Sequence, residues 1–296
     1  MNYRTLGNSN LTISELSLGC MSLPTNLQDA KPIIDAALDA GINYFDTADL
    51  YDFGVNEEIV GAALKEKRHD IYIATKVGNR WTEGQPGWRW DASTTYIKEA
   101  VHASLKRLGT DYIDLYQLHG GTIEDDLHAV VDTFEELKKE GLIRAYGISS
   151  IRPNVFVPFS KNEGVVSNMM QYSMLDRRAE EWFDVLAEQN VSVVTRGSIA
   201  KGLLTNRWRE KLAAYMSYEE AELQKVLTAL TAEYGNLHAL AFAYNLQHAA
   251  VASTVIGART KEQLLNNLHA YEASRTIEDF TFADQILKKD VYAEHR

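Results

Sequence analysis

The sequence predicts an α/β protein built as a closed (β/α)8 barrel of the TIM type, and three observations predict it. Short apolar runs alternate with longer segments of helical period along all 296 residues. Eight such runs occur, which fits a single barrel domain over residues 1–296 although the chain exceeds the usual domain length. No G-x-G-x-x-G turn follows the first run, where 18-LGCMSLP-24 stands, whereas a doubly wound dinucleotide-binding sheet should show one there. Strict alternation implies parallel strands joined by right-handed crossovers.

The expected strands are 15-ELSLG-19, 42-INYFD-46, 71-IYIATK-76, 112-YIDLYQLH-119, 142-LIRAYGIS-149, 165-VVSNMMQ-171, 191-VSVVTR-196 and 253-STVIG-257. Helical patterns occupy 29-DAKPIIDAALDA-40, 56-NEEIVGAALKEK-67, 94-TTYIKEAVHASLKRL-108 and 124-EDDLHAVVDTFEELKKE-140. Gly41, Gly109 and Gly141 each follow a helical run, where a left-handed residue ends the helix. Pro32 is placed in a first turn, where its missing N–H does no harm. Residues 3-YRTLGNSNLTI-13 read as a hairpin around Gly7-Asn8-Ser9-Asn10, a cap for one mouth of the barrel. Two helical patterns, around 219–232 and 236–248, lie before strand eight, so one of them is extra. No linker, low-complexity segment or long-period repeat argues for a second domain.

Composition narrows the function. The apolar share of 45% and charged share of 24% are those of an ordinary globular chain. The one cysteine, Cys20, permits no intrachain disulfide and points to a reducing compartment. The N-terminus has no apolar h-region and no run approaches membrane-spanning length, so a soluble cytoplasmic protein with no membrane partner is expected. A net charge of −11 repels nucleic acid and anionic lipid. Against that background Arg196, Lys201, Arg207, Arg209 and Lys211 cluster in 196-RGSIAKGLLTNRWREK-211, with Glu210 the only acid. Such a run is either a solvated face or a site for an anion.

Barrel enzymes work at the C-terminal ends of their strands. Asp46, Lys76 and His119 end strands two, three and four, and Tyr51 follows Asp46 by five residues. Each has an ordinary explanation: a helix cap for Asp46, a snorkelling Lys76, a satisfied core histidine for His119. Their joint placement at one mouth would require four independent accidents. Asp49 is expected to cap a loop or helix start, and 121-GTIEDD-126 to be a loop and helix start only. The loop 77-VGNRWTEGQPGWRWDAS-93, with Trp81, Trp88 and Trp90, is either surface packing or a pocket wall. No H-E-x-x-H, cysteine pair or carboxylate cluster suggests a metal.

These residues resemble the aldo-keto reductase family. The segments 44-YFDTADLY-51, 74-ATK-76 and 116-YQLHGG-121 match its catalytic segments, and the resemblance runs from 4-RTLGNSNLTISELSLGCM-21 to 253-STVIGARTKEQLLNNL-268. It implies an NADPH-dependent reduction of small aldehydes or ketones by a monomer or weak homo-oligomer. Tyr51 is then the general acid, Lys76 lowers its pKa from about 10, Asp46 neutralises Lys76, and His119 polarises the carbonyl. The hydride must come from a nicotinamide, since side chains supply none. The implied cofactor contacts are Gly19, Cys20, Met21 and Asp46 beside the nicotinamide, with Ser149 and Gln171 on its carboxamide. Arg196 stands where the family often stacks an aromatic ring. Gly197, Ser198, Ala200 and Lys201 fall in the pyrophosphate loop, and Gly257, Arg259, Gln263, Asn266 and Asn267 at the adenosine end. Ser150 and Asn266 depart from the asparagine and glutamate often found at their positions. Arg259 favours NADPH over NADH, because a guanidinium suits a phosphate monoester. Two rival functions use the same residues: a regulatory subunit that binds NADPH and turns over slowly, and a lyase forming a Schiff base on Lys76.

Overall fold

The computed structural model describes residues 1–296. The chain opens with an antiparallel hairpin of β1 (Tyr3–Thr5) and β2 (Thr12–Ser14), paired Tyr3 to Ser14. The barrel strands are β3 (Leu16–Gly19), β4 (Tyr44–Asp46), β5 (Tyr72–Val77), β8 (Ile113–Leu118), β9 (Ile143–Ile148), β10 (Val165–Gln171), β11 (Ser192–Arg196) and β12 (Val251–Gly257). A two-residue pair, β6 (Asn79–Arg80) and β7 (Arg89–Trp90), folds the tryptophan loop into a second hairpin that the sequence did not lead us to expect. The eight strands close in the order β10-β11-β12-β3-β4-β5-β8-β9, all parallel. They are the eight expected runs, with small shifts at the ends. The last begins at Val251, and the fourth ends at Leu118, which leaves His119 as the first loop residue.

The crossovers carry α1 (Leu27–Asp39), α2 (Val55–Leu64), α3 (Thr94–Leu108), α4 (Leu127–Lys139), α5 (Pro153–Ser160) and α6 (Phe183–Glu188). Both α7 (Glu220–Tyr234) and α8 (Leu237–Leu246) precede β12, and α9 (Lys261–Ser274) and α10 (Thr281–Ile286) follow it. Nearly all of α8 is buried, whereas α7 buries only the stripe Leu223, Leu227 and Leu230. The extra helix is therefore α7, laid over the outside. No helix is long and apolar enough to cross a membrane.

Helix ends follow local chemistry. Gly41, Gly109 and Gly141 all have positive φ after their helices, as expected. The expectation for Pro32 was wrong. Helix α1 starts earlier, at Leu27, because the Asn26 side chain accepts the Asp29 N–H at 2.9 Å. Pro32 thus sits inside the helix, where it can donate no backbone hydrogen bond.

The interior of the barrel is filled by Tyr44, Ala74, Leu115, Ala145, Val194 and Ala252 from its strands, with Leu6, Leu11 and Ile13 of the opening hairpin packed among them. Gly7 N–H donates to Ser192 Oγ at 2.7 Å and Asn8 N–H to the Asn190 carbonyl at 3.1 Å, both at the start of β11. The hairpin consequently closes the N-terminal mouth and leaves the C-terminal mouth for chemistry. Leu6 has no exposed surface. Leu6→Ala should therefore destabilise the fold by about 2–5 kcal/mol, as core leucine truncations do. Denaturant titration would show this as a lowered midpoint, with activity per folded molecule retained.

Candidate active site

Parallel pairing places Asp46 opposite Ala74, and Lys76 is the next residue of β5 on the same inward face. The ammonium reaches back to the neighbouring strand, to Asp46 Oδ2 at 2.8 Å and to the Thr47 carbonyl at 2.6 Å. Lys76 has no exposed surface, so this charge is held without water. Burial disfavours the ammonium, but the Asp46 carboxylate and Tyr51 more than offset it, and the Lys76 pKa lies above its ordinary value. Burial also pushes the Asp46 carboxyl up, with Lys76 opposing. Gln117, the register partner of Lys76 on β8, lies beside this pair; it favours the Asp46 carboxylate, yet neither of its amide atoms reaches good hydrogen-bond geometry.

The third member comes from the loop after β4. Tyr51 Oη lies 3.4 Å from Lys76 Nζ. Asp52, Phe53 and Gly54 follow with φ of 48°, 51° and 90°, three left-handed residues in succession. Two of them are not glycine, so the turn is strained and must be held from outside. The clamp includes Trp81, whose Nε1 donates to the Asp49 carbonyl at 3.0 Å and whose ring meets Phe53 edge-on at 5.7 Å. Burial raises the Tyr51 pKa and the Lys76 ammonium lowers it, with burial the larger effect. The expected net lowering is therefore reversed: the ammonium acts in the anticipated direction, but desolvation outweighs it. Asp49 caps no helix. Its Oδ2 accepts from Tyr96 Oη at 3.3 Å inside the protein, and burial with Glu57 nearby pushes its pKa up to about 8.

His119 enters from the far side. Its N–H donates to the Val77 carbonyl at 2.8 Å, and its ring meets Tyr51 edge-on at 6.0 Å and 84°. Burial, aided by the positive charges of Lys76 and Arg196, pushes its pKa down to about 3. Nδ1 is buried without a partner, and Nε2 faces the pocket above. A neutral imidazole with its proton on Nε2 can donate a hydrogen bond to a bound oxygen.

That pocket has a volume of about 240 Å³, with Trp88 and Trp90 in its wall beside His119, Ser149 and Arg196. Two of the three loop tryptophans are thus pocket wall and Trp81 is the clamp. Gly78 lets this happen, since a Cβ there would lie 2.6 Å from Trp90 Cζ3. The segment 121–126 does more than start a helix. Asp126 caps α4, and Asp125 accepts from Trp90 Nε1 at 2.9 Å and so fixes the indole.

A second cavity, of about 720 Å³, lies over the ends of β11 and β12. It is lined by Lys201, Gly257, Arg259, Gln263, Asn266 and Asn267, all expected at a dinucleotide site. Of the remaining expected contacts, Ser149 and Arg196 line the smaller pocket, while Gly19, Met21, Gln171, Gly197, Ser198 and Ala200 line neither cavity. Gln171 is held between Asp176, which accepts its Nε2 at 2.7 Å, and Arg196, which donates to its Oε1 at 3.1 Å. Met21 is 62% exposed. Sequence reasoning missed Ser22, Asn236, His238 and His269 in the larger cavity, and Asn79 and Arg152 in the smaller. These come from segments remote in the chain, with no local signal. The basic run divides: Lys201 and Arg207 face the large cavity, Arg207 also pairs with Glu210, and Arg209 stacks on Trp208.

The large cavity fits a nicotinamide dinucleotide on its own chemistry. Lys201, Arg207 and Arg259 face it and no carboxylate does. Gly257 leaves room there, since a Cβ would lie 2.9 Å from Ser22 Oγ. Ala200, Lys201 and Gly202 all have positive φ, so the backbone beneath Lys201 folds sharply at the cavity edge.

Fold and site together define a closed parallel barrel with a buried polar cluster at its C-terminal mouth, the architecture of a barrel enzyme. The Aldo/keto reductase family profile matches residues 15–288. The uncharacterized oxidoreductase YqkF of Bacillus subtilis is 51% identical, with the whole of both chains covered. The holo form of aldo-keto reductase AKR11C1 from Bacillus halodurans superposes with a TM-score of 0.93 at 50% identity, over 100% of this chain and 99% of that one. The apo form of the same protein gives a TM-score of 0.87 at 47% identity, over 100% and 99%. The chain belongs to the aldo/keto reductase family, whose members use nicotinamide cofactors to act on small carbonyl compounds.

His119 generates a test by pH. Its folded pKa of about 3 lies below the ordinary value of 6.5, so below pH 6.5 the unfolded chain binds a proton that the folded chain refuses. The neutral ring therefore contributes stability that is fully present above pH 6.5 and is lost as pH falls towards 3. In denaturant titrations across that range, His119→Gln should lose stability less steeply than the parent.

Proposed function

We propose that this protein reduces an aldehyde or ketone to an alcohol with NADPH, and oxidises the alcohol when run in reverse. The observation that carries this is the position of Lys76, shared between Asp46 at 2.8 Å and Tyr51 at 3.4 Å, without water. Reduction leaves negative charge on the carbonyl oxygen, which needs a proton. Tyr51 keeps its proton at neutral pH, because burial raises its pKa. The Lys76 ammonium lowers the energy of the phenolate left after transfer, and Asp46 keeps Lys76 charged and oriented. His119, neutral, donates Nε2–H to the same oxygen, as an oxyanion-hole donor does. Bound NADPH would supply the hydride to the carbonyl carbon.

Lys201, Arg207 and Arg259 would hold the cofactor's phosphates, with Ser198 and Ala200 shaping the loop between them. Gln263, Asn266 and Asn267 would contact the adenosine end beside Gly257. Ser149 and Gln171 would take the carboxamide near Gly19 and Met21, and Arg196 would lie on the nicotinamide face. Arg259 has no carboxylate partner, which suits it to a 2′-phosphate.

Cofactor oxidation followed with a panel of aldehydes tests the assignment. Tyr51→Phe should lower kcat by about 10²–10⁴-fold, the usual contribution of a general acid, with little change in cofactor affinity. Equal rates in Tyr51→Phe and the parent would sink the role of Tyr51. Arg259→Ala should raise KM for NADPH by about 10–100-fold, as loss of a charge-assisted hydrogen bond does, and leave KM for NADH nearly unchanged. An equal loss for both cofactors would remove Arg259 from the 2′-phosphate.

A further inference from the structure

Most arginines in this acidic chain are already spoken for. Of 15 arginines, 11 have a carboxylate within ion-pair distance. The exceptions are Arg152, Arg196, Arg209 and Arg259. Arg209 stacks on Trp208, and Arg259 faces the large cavity. The other two, Arg152 and Arg196, both line the small pocket above His119.

No aspartate or glutamate lines that pocket. Asp125, on the loop behind Trp90, is occupied by the indole N–H and by the Thr122 N–H at 2.7 Å. Arg152 spends one Nη1 bond at 2.9 Å on the Gly121 carbonyl, which steadies the side chain at the pocket edge. Arg196 spends one at 3.1 Å on Gln171. Each guanidinium has five N–H donors, so each retains several. Arg152 is half-buried and Arg196 exposed, and two cations with no ion-pair partner repel each other across a common space. A net charge of −11 offers many acids that could have neutralised them, yet none points here. An anion in the pocket would relieve that repulsion.

We propose that the carbonyl substrate carries a carboxylate, which Arg152 binds with help from Arg196 while Tyr51 and His119 hold the carbonyl oxygen. This rests on the reductase reading above and names its substrate class: short oxo-acids. The volume of about 240 Å³ lies below the roughly 300–1,000 Å³ of sites for drug-sized ligands, which limits the substrate to a few carbons. Planar guanidinium and carboxylate match edge to edge, whereas a neutral aldehyde would leave Arg152 without an anionic partner. Trp88 and Trp90 would cover the short apolar chain between the two ends.

The test compares 4-oxobutanoate with its methyl ester, in the parent, Arg152→Met and Arg152→Lys. The parent should prefer the acid in kcat/KM. Arg152→Met should shrink that acid-over-ester preference by about 10–100-fold, chiefly through KM, and Arg152→Lys should restore part of it. A ratio is read because Arg152 also holds Gly121, and a general disturbance would slow both substrates alike. An ester turned over as well as the acid would overturn the proposal, as would an unchanged ratio in Arg152→Met. Glyceraldehyde 3-phosphate preferred over 4-oxobutanoate would overturn the carboxylate in favour of a phosphate. Should no aldehyde be reduced, the reductase reading fails but the anion site is still decided by tryptophan fluorescence. Saturable quenching of Trp88 and Trp90 by succinate, absent with dimethyl succinate and weakened in Arg152→Met, would uphold the site; no quenching by succinate would overturn it.

Discussion

Lys76 carries a full positive charge at a place that water does not reach, and much of the C-terminal mouth is arranged around that fact. An unpaired buried ammonium would be strongly destabilising, so Asp46 and the Thr47 carbonyl are held within 2.8 Å of it. Both partners come from the end of β4, and their reach depends on the register that sets Asp46 opposite Ala74. Moving β4 by one residue would turn Asp46 out of the barrel and leave the charge bare. The pair is therefore a structural constraint, whatever its part in the proposed chemistry. Because the charge is present whether or not substrate is bound, any phenol, imidazole or oxygen brought near feels it at low effective dielectric.

The opposing effects on Tyr51 and His119 follow from the same burial. Desolvation keeps each group neutral: it raises the tyrosine and lowers the histidine. A neutral phenol and a neutral imidazole side by side suit the carbonyl reduction proposed above. The strained turn after Tyr51 shows that this arrangement is not the backbone's local preference. It is held by Trp81, which bonds the Asp49 carbonyl and packs against Phe53. The barrel also separates its tasks by end. Apolar packing by the opening hairpin seals one mouth, so the other can hold buried charge and left-handed turns without being the main source of stability.

Much of this was legible in the chain. Eight strands, the capping hairpin and the extra helix follow from periodicity and turn residues, because those signals are local. The strand-end placement of Asp46 and Lys76, and of His119 one residue on, was legible for the same reason, and Tyr51 was drawn in by its spacing. The exceptions mark where local rules lose. Pro32 was assigned to a first turn because the Asn26 cap was not weighed. Asp49 was assigned to a cap, yet it is drawn inward by Tyr96. The net pKa of Tyr51 was assigned from one neighbouring charge, when burial is the larger effect.

By itself the sequence determined which elements form, in what order, and which polar residues arrive at the barrel mouth. Side-chain alternation and helix periodicity are properties of neighbours in the chain, and a single sequence displays them. Only the tertiary structure decided what those residues face. Arg152 lies more than thirty positions from His119, and Trp90 and Asp125 are 35 apart, yet they shape one pocket. Burial and the absence of a counter-charge are properties of a volume. They exist only once distant segments have closed around it.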